Sequence, residues 1–342
     1  MARISKISWT DGTLNFWEGC EKVSPGCLHC YAEDRDRRYH EGKHWGRGAP
    51  RKKSKSAIDN IRRYNRWAAE GKFVVCPACG ISRWWNDECC GFAKTPGRIV
   101  RPKMFVMSLG DIFDEDVPLE WLAEALVEML KADSLDMMIL TKRITTARER
   151  IQRATQHMTP AWRERVLDWM EGDTIMPPAN IAIGATVECL KFAKERLDAL
   201  TAFPAVRRFV SGEPLIDADW AGLLPSYADR INLVIIGGES GNQARPMHPD
   251  APLVFEHACD KAGIPFHFKQ WGTWVSPSIV PMPAGMLTDG NLIHIDTKGQ
   301  VVEPGESTVP VWRAGAKASG HAIEANGRTR TEPLTFPSQP WK

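Results

Sequence analysis

Residues 103–143 read KMFVMSLGDIFDEDVPLEWLAEALVEMLKADSLDMMILTKR, and this stretch decides the fold class. Met104–Ser108 is a short apolar run, as expected of a strand buried on both faces, and the polar Ser108-Leu109-Gly110-Asp111 closes it. Pro118–Lys131 then reads as a helix with Pro118 close to its start. Its spacing puts Leu122, Leu126 and Met129 on one face and predicts Glu124 and Glu128 on the other. Met137–Leu140 is the next strand, followed by Thr141-Lys142-Arg143. Strand, loop, helix, strand is the repeating unit of parallel sheets.

The same beat continues outward. Ile181–Thr186, Arg208–Val210, Leu233–Ile236 and Pro265–Phe268 read as strands, and Ala193–Leu200 and Pro252–Ala262 as helices. Six such strands predict an α/β fold, a complete or partial barrel. Ligands of such folds bind in the loops after the strand C-termini, which here carry Glu188, Ser211-Gly212-Glu213, Gly237-Gly238-Glu239 and Lys269-Gln270. Glu188, Glu213, Glu239, Lys142 and Lys269 could each orient a substrate amine or carboxylate, or form a plain ion pair. Gly237-Gly238 could equally be a tight turn needing positive φ.

The beat divides the chain. Residues 1–30 form an N-terminal segment of the barrel, and 31–102 an insertion that is basic in its first half and cysteine-rich in its second. The rest of the barrel spans 103–275, and 276–342 is a loop-rich C-terminal extension with a short strand pair. The 342 residues carry a net charge of +2, which by itself selects no class of partner. Met1–Trp9 has no apolar run of signal-peptide length, and no later stretch approaches the roughly 18 apolar residues of a membrane span. A cytoplasmic protein without a membrane partner is expected. Nine cysteines in that compartment point to metal binding or catalysis rather than disulfides.

Cys20, Cys27 and Cys30 place three thiols within eleven residues, with Pro25 and Gly26 between them to turn the chain. By spacing alone they could ligate three irons of a four-iron cluster, join His29, His40 or His44 at a zinc ion, or be reduced structural thiols. Cys76-Pro77-Ala78-Cys79-Gly80 is a knuckle that can grip zinc, with Cys89 and Cys90 available to complete the ligand set. A second iron–sulfur cluster is the alternative there, and Cys189 and Cys259 read as buried structural thiols. Between Arg35 and Arg66 lie twelve basic and three acidic residues, interleaved with Tyr39, Trp45, Tyr64 and Trp67. Such a run is either a solvated face or a nucleic-acid surface in which cations meet phosphates and rings stack on bases. The cations named for that role are Arg35, Arg37, Arg38, Arg51, Lys52, Lys53, Lys55, Arg62 and Arg63.

The segments SWTDGTLNFWEGCEKVSPGCLHCYAE (8–33), MSLGDIFDEDVP (107–118), ILTKR (139–143), GATVE (184–188), FVSGEPL (209–215), VIIGGESG (234–241), ARPMHPD (244–250) and FHFKQWG (266–272), in this order, resemble the three-cysteine-motif phage and prophage protein family, a branch related to the radical S-adenosylmethionine enzymes. The resemblance covers about Ser8 to Trp274. It implies a partial (βα)6 barrel of radical S-adenosylmethionine type and a [4Fe–4S] cluster on Cys20, Cys27 and Cys30, with S-adenosylmethionine as the second cofactor. Ser108, Gly110 and Asp111 would lie where such enzymes bind the methionine amine, and Glu188, Glu213, Gly237, Gly238 and Glu239 would meet ribose, adenine or substrate. The chain departs from the common pattern in having six residues between Cys20 and Cys27 and His29 before Cys30.

That resemblance implies a radical enzyme, supplied by an external electron donor, that modifies a base in viral DNA. The most concrete candidate is isomerisation of an N-linked glycyl-thymidine to its Cα-linked form during phage thymidine hypermodification. The target base would have to be flipped out of the duplex. The other readings are radical modification of RNA or a free nucleotide, and a non-enzymatic, zinc-stabilised nucleic-acid-binding protein. The residues single out no catalytic acid or base.

Overall fold

A computed structural model describes residues 5, 7–85, 87, 90, 97–172, 176–283 and 291–315, and the backbone of 323–325 and 328–330. The architecture is α/β. Seven strands share one sheet in an order that follows the chain, and the pairings within each compact unit are parallel, as a partial barrel requires. The chain forms two compact units, one of residues 1–21, 32–184 and 202–207, the other of 22–31, 185–201 and 208–342.

In the first unit, β1 (Gly12–Leu14) and β2 (Trp17–Glu18) precede α1 (Tyr31–His40), β3 (Lys52–Lys53) and α2 (Ala57–Ala69). A small antiparallel sheet of β4 (Phe73–Val75), β5 (Ser82–Trp84) and β6 (Arg98–Ile99) follows. Then come β7 (Lys103–Val106), α3 (Leu119–Lys131), β8 (Asp136–Thr141), α4 (Ile144–Ala154), α5 (Pro160–Glu171) and β9 (Ile181–Thr186). The strand and helix expected between residues 103 and 143 are therefore present within a residue or two. β1 was not anticipated; three residues are too few for a period to show, and it is recruited because Asp11 accepts the Lys103 N–H at 2.8 Å and aligns Gly12 with Met104.

Leu122, Leu126 and Met129 of α3 are fully buried, as are Val106, Met137 and Ile139 of the strands beneath them. Each such side chain contributes about 1.5–3 kcal/mol by leaving water. Glu128 corrects the expected helix face, since it is buried rather than solvated. Arg62 of α2 grips its carboxylate at 2.7 and 2.9 Å, and Lys131 adds a third contact at 2.9 Å. A helical wheel cannot anticipate this, because the partner sits 66 residues away.

The second unit contains α6 (Leu190–Ala202), β10 (Arg207–Gly212), β11 (Leu233–Gly237), α7 (Ala251–Ala262) and β12 (Phe266–Gln270). A 3₁₀ segment at Asp219–Arg230 buries Trp220 against Phe255 of α7. Beyond residue 270, β13 (Trp274–Val275), β14 (Leu292–Ile295), β15 (Val301–Val302) and β16 (Val309–Arg313) make a four-stranded sheet in the order β13-β16-β14-β15, larger than the short strand pair expected. Two further strands, β17 (Ile323–Ala325) and β18 (Arg328–Arg330), pair antiparallel. Among the described residues no helix is long and apolar enough to cross a membrane.

Candidate metal centre and strand-end groups

The β4–β5 hairpin builds the first candidate site. Phe73 and Trp84 stand in register on the two strands with rings 4.9 Å apart, and Tyr64 and Trp67 of α2 pack on Trp84 at 5.6 Å. Above this aromatic floor the Cys76 N–H bonds to the Ile81 carbonyl and the Gly80 N–H to that of Cys76, folding residues 76–80 into a knuckle. Arg83, also buried, donates to the carbonyls of Trp84, Trp85 and Asp87 and pins the strand that leads toward Cys90. The sulfurs of Cys76, Cys79 and Cys90 lie within 4.8 Å of one another, with Cys76 and Cys90 at 3.7 Å, too far for a disulfide. This group could hold a metal ion. Cys89 lies outside the described residues.

Cys20 occupies a different environment in the same unit. Gly110 allows the Ser108–Asp111 loop to approach the segment before Cys20, since a Cβ there would stand 2.7 Å from the Gly19 carbonyl. Asn15 fixes the loop further, accepting the Leu109 N–H at 2.8 Å and exchanging hydrogen bonds with Ser108. Asp111 is committed within the protein: Oδ1 accepts the Thr141 hydroxyl (2.7 Å) and the Phe113 N–H (3.0 Å), and Oδ2 accepts the Lys142 N–H (2.9 Å). Arg143, at the end of β8, lies 3.4 Å from Asp111 and 4.0 Å from Asp114. It donates to the Cys20 sulfur at 3.4 Å and to the Glu21 carbonyl at 3.0 Å. Burial pushes the Cys20 thiol up to about 12, against the pull of Arg143. Burial alone would lower the Arg143 guanidinium, but Asp111, Cys20 and Asp114 outweigh it and raise it.

Arg51 explains why the 44–51 loop stays against this site. Its guanidinium is fully buried and donates to Asp114 (3.0 and 3.1 Å), to Asp116 (3.1 Å) and to the carbonyls of His44, Gly46 and Ala49. The Gly46 N–H in turn bonds to the Cys20 carbonyl at 2.9 Å. With its donors committed in this way, Arg51 is placed inside the fold and not on the basic face. Other cations named for nucleic acid also have partners: Arg35 pairs with Glu18, Arg37 with Glu33 and Asp34, Lys53 with Glu124 and Arg62 with Glu128. Lys52 meets His40 at 3.0 Å, and Arg63 bonds Asn60 and lies over the rings of Tyr64 and Trp67. Arg38 and Lys55 are exposed, as is Tyr39.

In the second unit, Cys27 ends a 3₁₀ turn at Pro25–Cys27, with Ser24 Oγ 3.8 Å from its sulfur, and Cys30 is half-buried. Gly26 sits against Glu188, whose carboxyl carbon would lie 3.1 Å from any Cβ there. Glu188 is fully buried. Its Oε2 is paired with Arg196, which also bonds the Thr186 carbonyl, while Oε1 has no hydrogen-bond partner. Glu213 pairs with Lys269 at 2.7 Å and accepts the Ser211 hydroxyl at 3.3 Å. Glu239 is held in a fork by Arg245 at 2.9 and 2.8 Å. Gly237 and Gly238 do not form a positive-φ turn; a Cβ at Gly237 would lie 2.7 Å from Glu213 Oε1, and one at Gly238 would collide with the Trp271 carbonyl. Cys189 and Cys259 are buried, as expected, and burial raises both thiols, that of Cys259 to about 12.

Reading the sequence did not assign roles to Arg143, Arg196 or Asp114, and it put Arg51 on a nucleic-acid face instead of in the buried pair with Asp114. The signal for the first was present, since ILTKR puts an arginine two residues past a strand end. The others are identified only by partners distant in the chain. No curated protein and no solved structure matches the chain. Residues 4–332 match the family described as "Protein of unknown function (DUF5131)". Since that match spans nearly the whole chain, from the Cys20 segment through the last strand pair, the protein belongs to the DUF5131 family.

Proposed function

We propose that this protein is a radical S-adenosylmethionine enzyme acting on a base in DNA, with Cys20, Cys27 and Cys30 as the ligands of a [4Fe–4S] cluster. The observation that carries the reading is the seat of Cys20. The guanidinium of Arg143 against the sulfur suits an anionic ligand. The donor set fits as well: three thiols within eleven residues can serve three irons and leave one coordination site open. Bound there, the cluster and S-adenosylmethionine would supply one-electron cleavage of a sulfonium and a carbon radical able to abstract hydrogen.

The chain's own groups then divide the remaining work. Asp111 and Thr141 hold Arg143, and Arg143 holds Cys20. Glu188, with one buried oxygen unpartnered beside Gly26, is the acceptor best suited to a hydroxyl or ammonium group of a bound ligand. Glu213 and Lys269 present opposite charges at neighbouring strand ends, a pairing suited to an amino-acid moiety. The reaction that fits is the isomerisation of glycyl-thymidine, in which the bond from the glycyl nitrogen to the thymine methyl carbon breaks. A bond from the glycyl Cα to that carbon forms, and one hydrogen passes from Cα to nitrogen. Arg38, Lys52, Lys55 and Tyr39 are the exposed groups best placed to meet a DNA backbone and base. At Cys76, Cys79 and Cys90 the compact thiol geometry over an aromatic floor favours structural zinc.

The test is anaerobic reconstitution with iron and sulfide, followed by incubation with reductant, S-adenosylmethionine and DNA bearing glycyl-thymine. A four-iron chromophore lost in Cys27→Ala, and a product nucleoside of unchanged mass but altered retention, are expected. A colourless protein would sink the radical reading in favour of a zinc-stabilised nucleic-acid-binding protein. 5′-Deoxyadenosine formed with RNA and not with DNA would shift the substrate to RNA.

A further inference from the structure

Arg143 touches the sulfur of Cys20 directly, and its placement is over-determined. Its backbone N–H donates to Thr141 Oγ1 at 2.8 Å, the Thr141 hydroxyl donates to Asp111, and Asp111 faces the guanidinium at 3.4 Å. The other end of the guanidinium is tied to the Glu21 carbonyl, one residue from the sulfur it contacts. Only 7% of the residue is exposed, so the donor cannot swing into water and its field is little screened. Asp111 and Asp114 hold the cation in place without themselves touching the sulfur in any contact found among the described residues.

We propose that Arg143 sets the reduction potential of the metal centre by donating a hydrogen bond to the Cys20 sulfur. The inference rests on Cys20 being a cluster ligand, as argued above. A hydrogen bond and a positive charge at a ligand sulfur draw electron density from the cluster, and so stabilise its reduced, more negative state relative to the oxidised one. One electron enters from an external low-potential donor. Arg143 makes that entry easier without taking part in any bond that forms or breaks, and is a positioning residue in that sense. Thr141 and Asp111 act one step further out, by keeping the fork aimed at the sulfur.

The experiment uses the full chain, reconstituted anaerobically, with iron and sulfide counted per chain before any potential is measured. Midpoint potentials come from dithionite titrations followed by electron paramagnetic resonance. Arg143→Lys keeps the charge beside Asp111 and Asp114 but loses the fork, and Arg143→Gln loses both. Thr141→Val keeps the guanidinium and loosens its seat, which secures a loaded sample should the arginine variants fail to assemble. The expected result is a potential lower than wild type in every loaded variant, with the largest drop in Arg143→Gln and the smallest in Thr141→Val. A loaded variant whose potential is unchanged or higher overturns the role of Arg143 and leaves the cluster assignment standing. A wild-type protein that takes up no four-iron cluster overturns the assignment and this inference with it.

Discussion

Replacing Arg51 with methionine is expected to destabilise the first unit by about 3–5 kcal/mol, because it leaves one half of a buried ion pair uncompensated. The geometry sets the figure within that range. Asp114 would keep the Asp116 N–H at 3.0 Å and Arg143 at 4.0 Å, but would lose both charge-assisted bonds from Arg51. Three backbone carbonyls would lose their donor as well, which places Arg51→Met near the upper end. Asp114→Asn leaves the guanidinium with Asp116 and the same three carbonyls, so about 3 kcal/mol is expected there. At about 1.4 kcal/mol per tenfold, these values mean a two- to four-decade fall in the folding equilibrium. Urea titration followed by tryptophan fluorescence measures them, as a lower midpoint with an unchanged slope. The double variant should lose clearly less than the sum of the singles, because both fully buried charges of the pair are gone and the half-exposed Asp116 is left to water. Single losses under about 1 kcal/mol, or a double that equals the sum, would refute the reasoning.

Glu128 is held below its ordinary value of 4.5 chiefly by the Arg62 hydrogen bond. Its stabilising contribution is therefore present above about pH 4.5 and lost as pH falls through the depressed folded value; Glu128→Gln should flatten acid unfolding measured by circular dichroism. Trp84→Ala removes the ring shared by Phe73, Tyr64 and Trp67, a loss of about 3–5 kcal/mol, and protease cleavage near the 76–80 knuckle should appear before global unfolding. Cys79→Ala should lower the zinc content measured by elemental analysis, with Cys189→Ala at wild-type level; equal contents would exclude the knuckle as the site. Gly110→Ala pushes a methyl group against the Gly19 carbonyl, and a cost of about 1–3 kcal/mol with reduced iron uptake is expected on reconstitution.

The strands from Lys103 to Gln270 were legible from their runs of buried apolar residues, unbroken in Ile181–Thr186 and Leu233–Gly237, where burial on both faces leaves that signature in one dimension. Helices α1, α2, α4 and α5 were not; in α2 and α4 the arginines Arg62 and Arg150 find partners 66 and 33–35 residues away, which no local period encodes. Ile61 alone carries much of the buried face of α2, too little for a pattern to stand out among its arginines. The cysteines of the knuckle were visible from spacing, and the structure adds that Cys76, Cys79 and Cys90 converge. Asp111 and Glu239, named for ligand contacts, are occupied by protein partners, because a carboxylate at a strand end looks the same in sequence whether its oxygens face a ligand or an arginine. The density of cations between Arg35 and Arg66 likewise overstated the free charge, as five or more of them are balanced at close range.

The clasp of Arg62 on Glu128 bears on how residues 31–102 may be handled experimentally. Asn65 also accepts the Ser134 N–H at 2.8 Å, and Ile61 is wholly enclosed, so α2 covers part of the same helix that covers the sheet. A shortened chain lacking this segment would expose apolar surface and strand the buried Glu128 carboxylate, and it would be expected to aggregate. Loss of DNA binding in such a deletion would therefore carry no information about which residues touch DNA. Charge-reversing single substitutions at exposed positions such as Arg38 and Lys55 are the perturbations that separate contact from collapse.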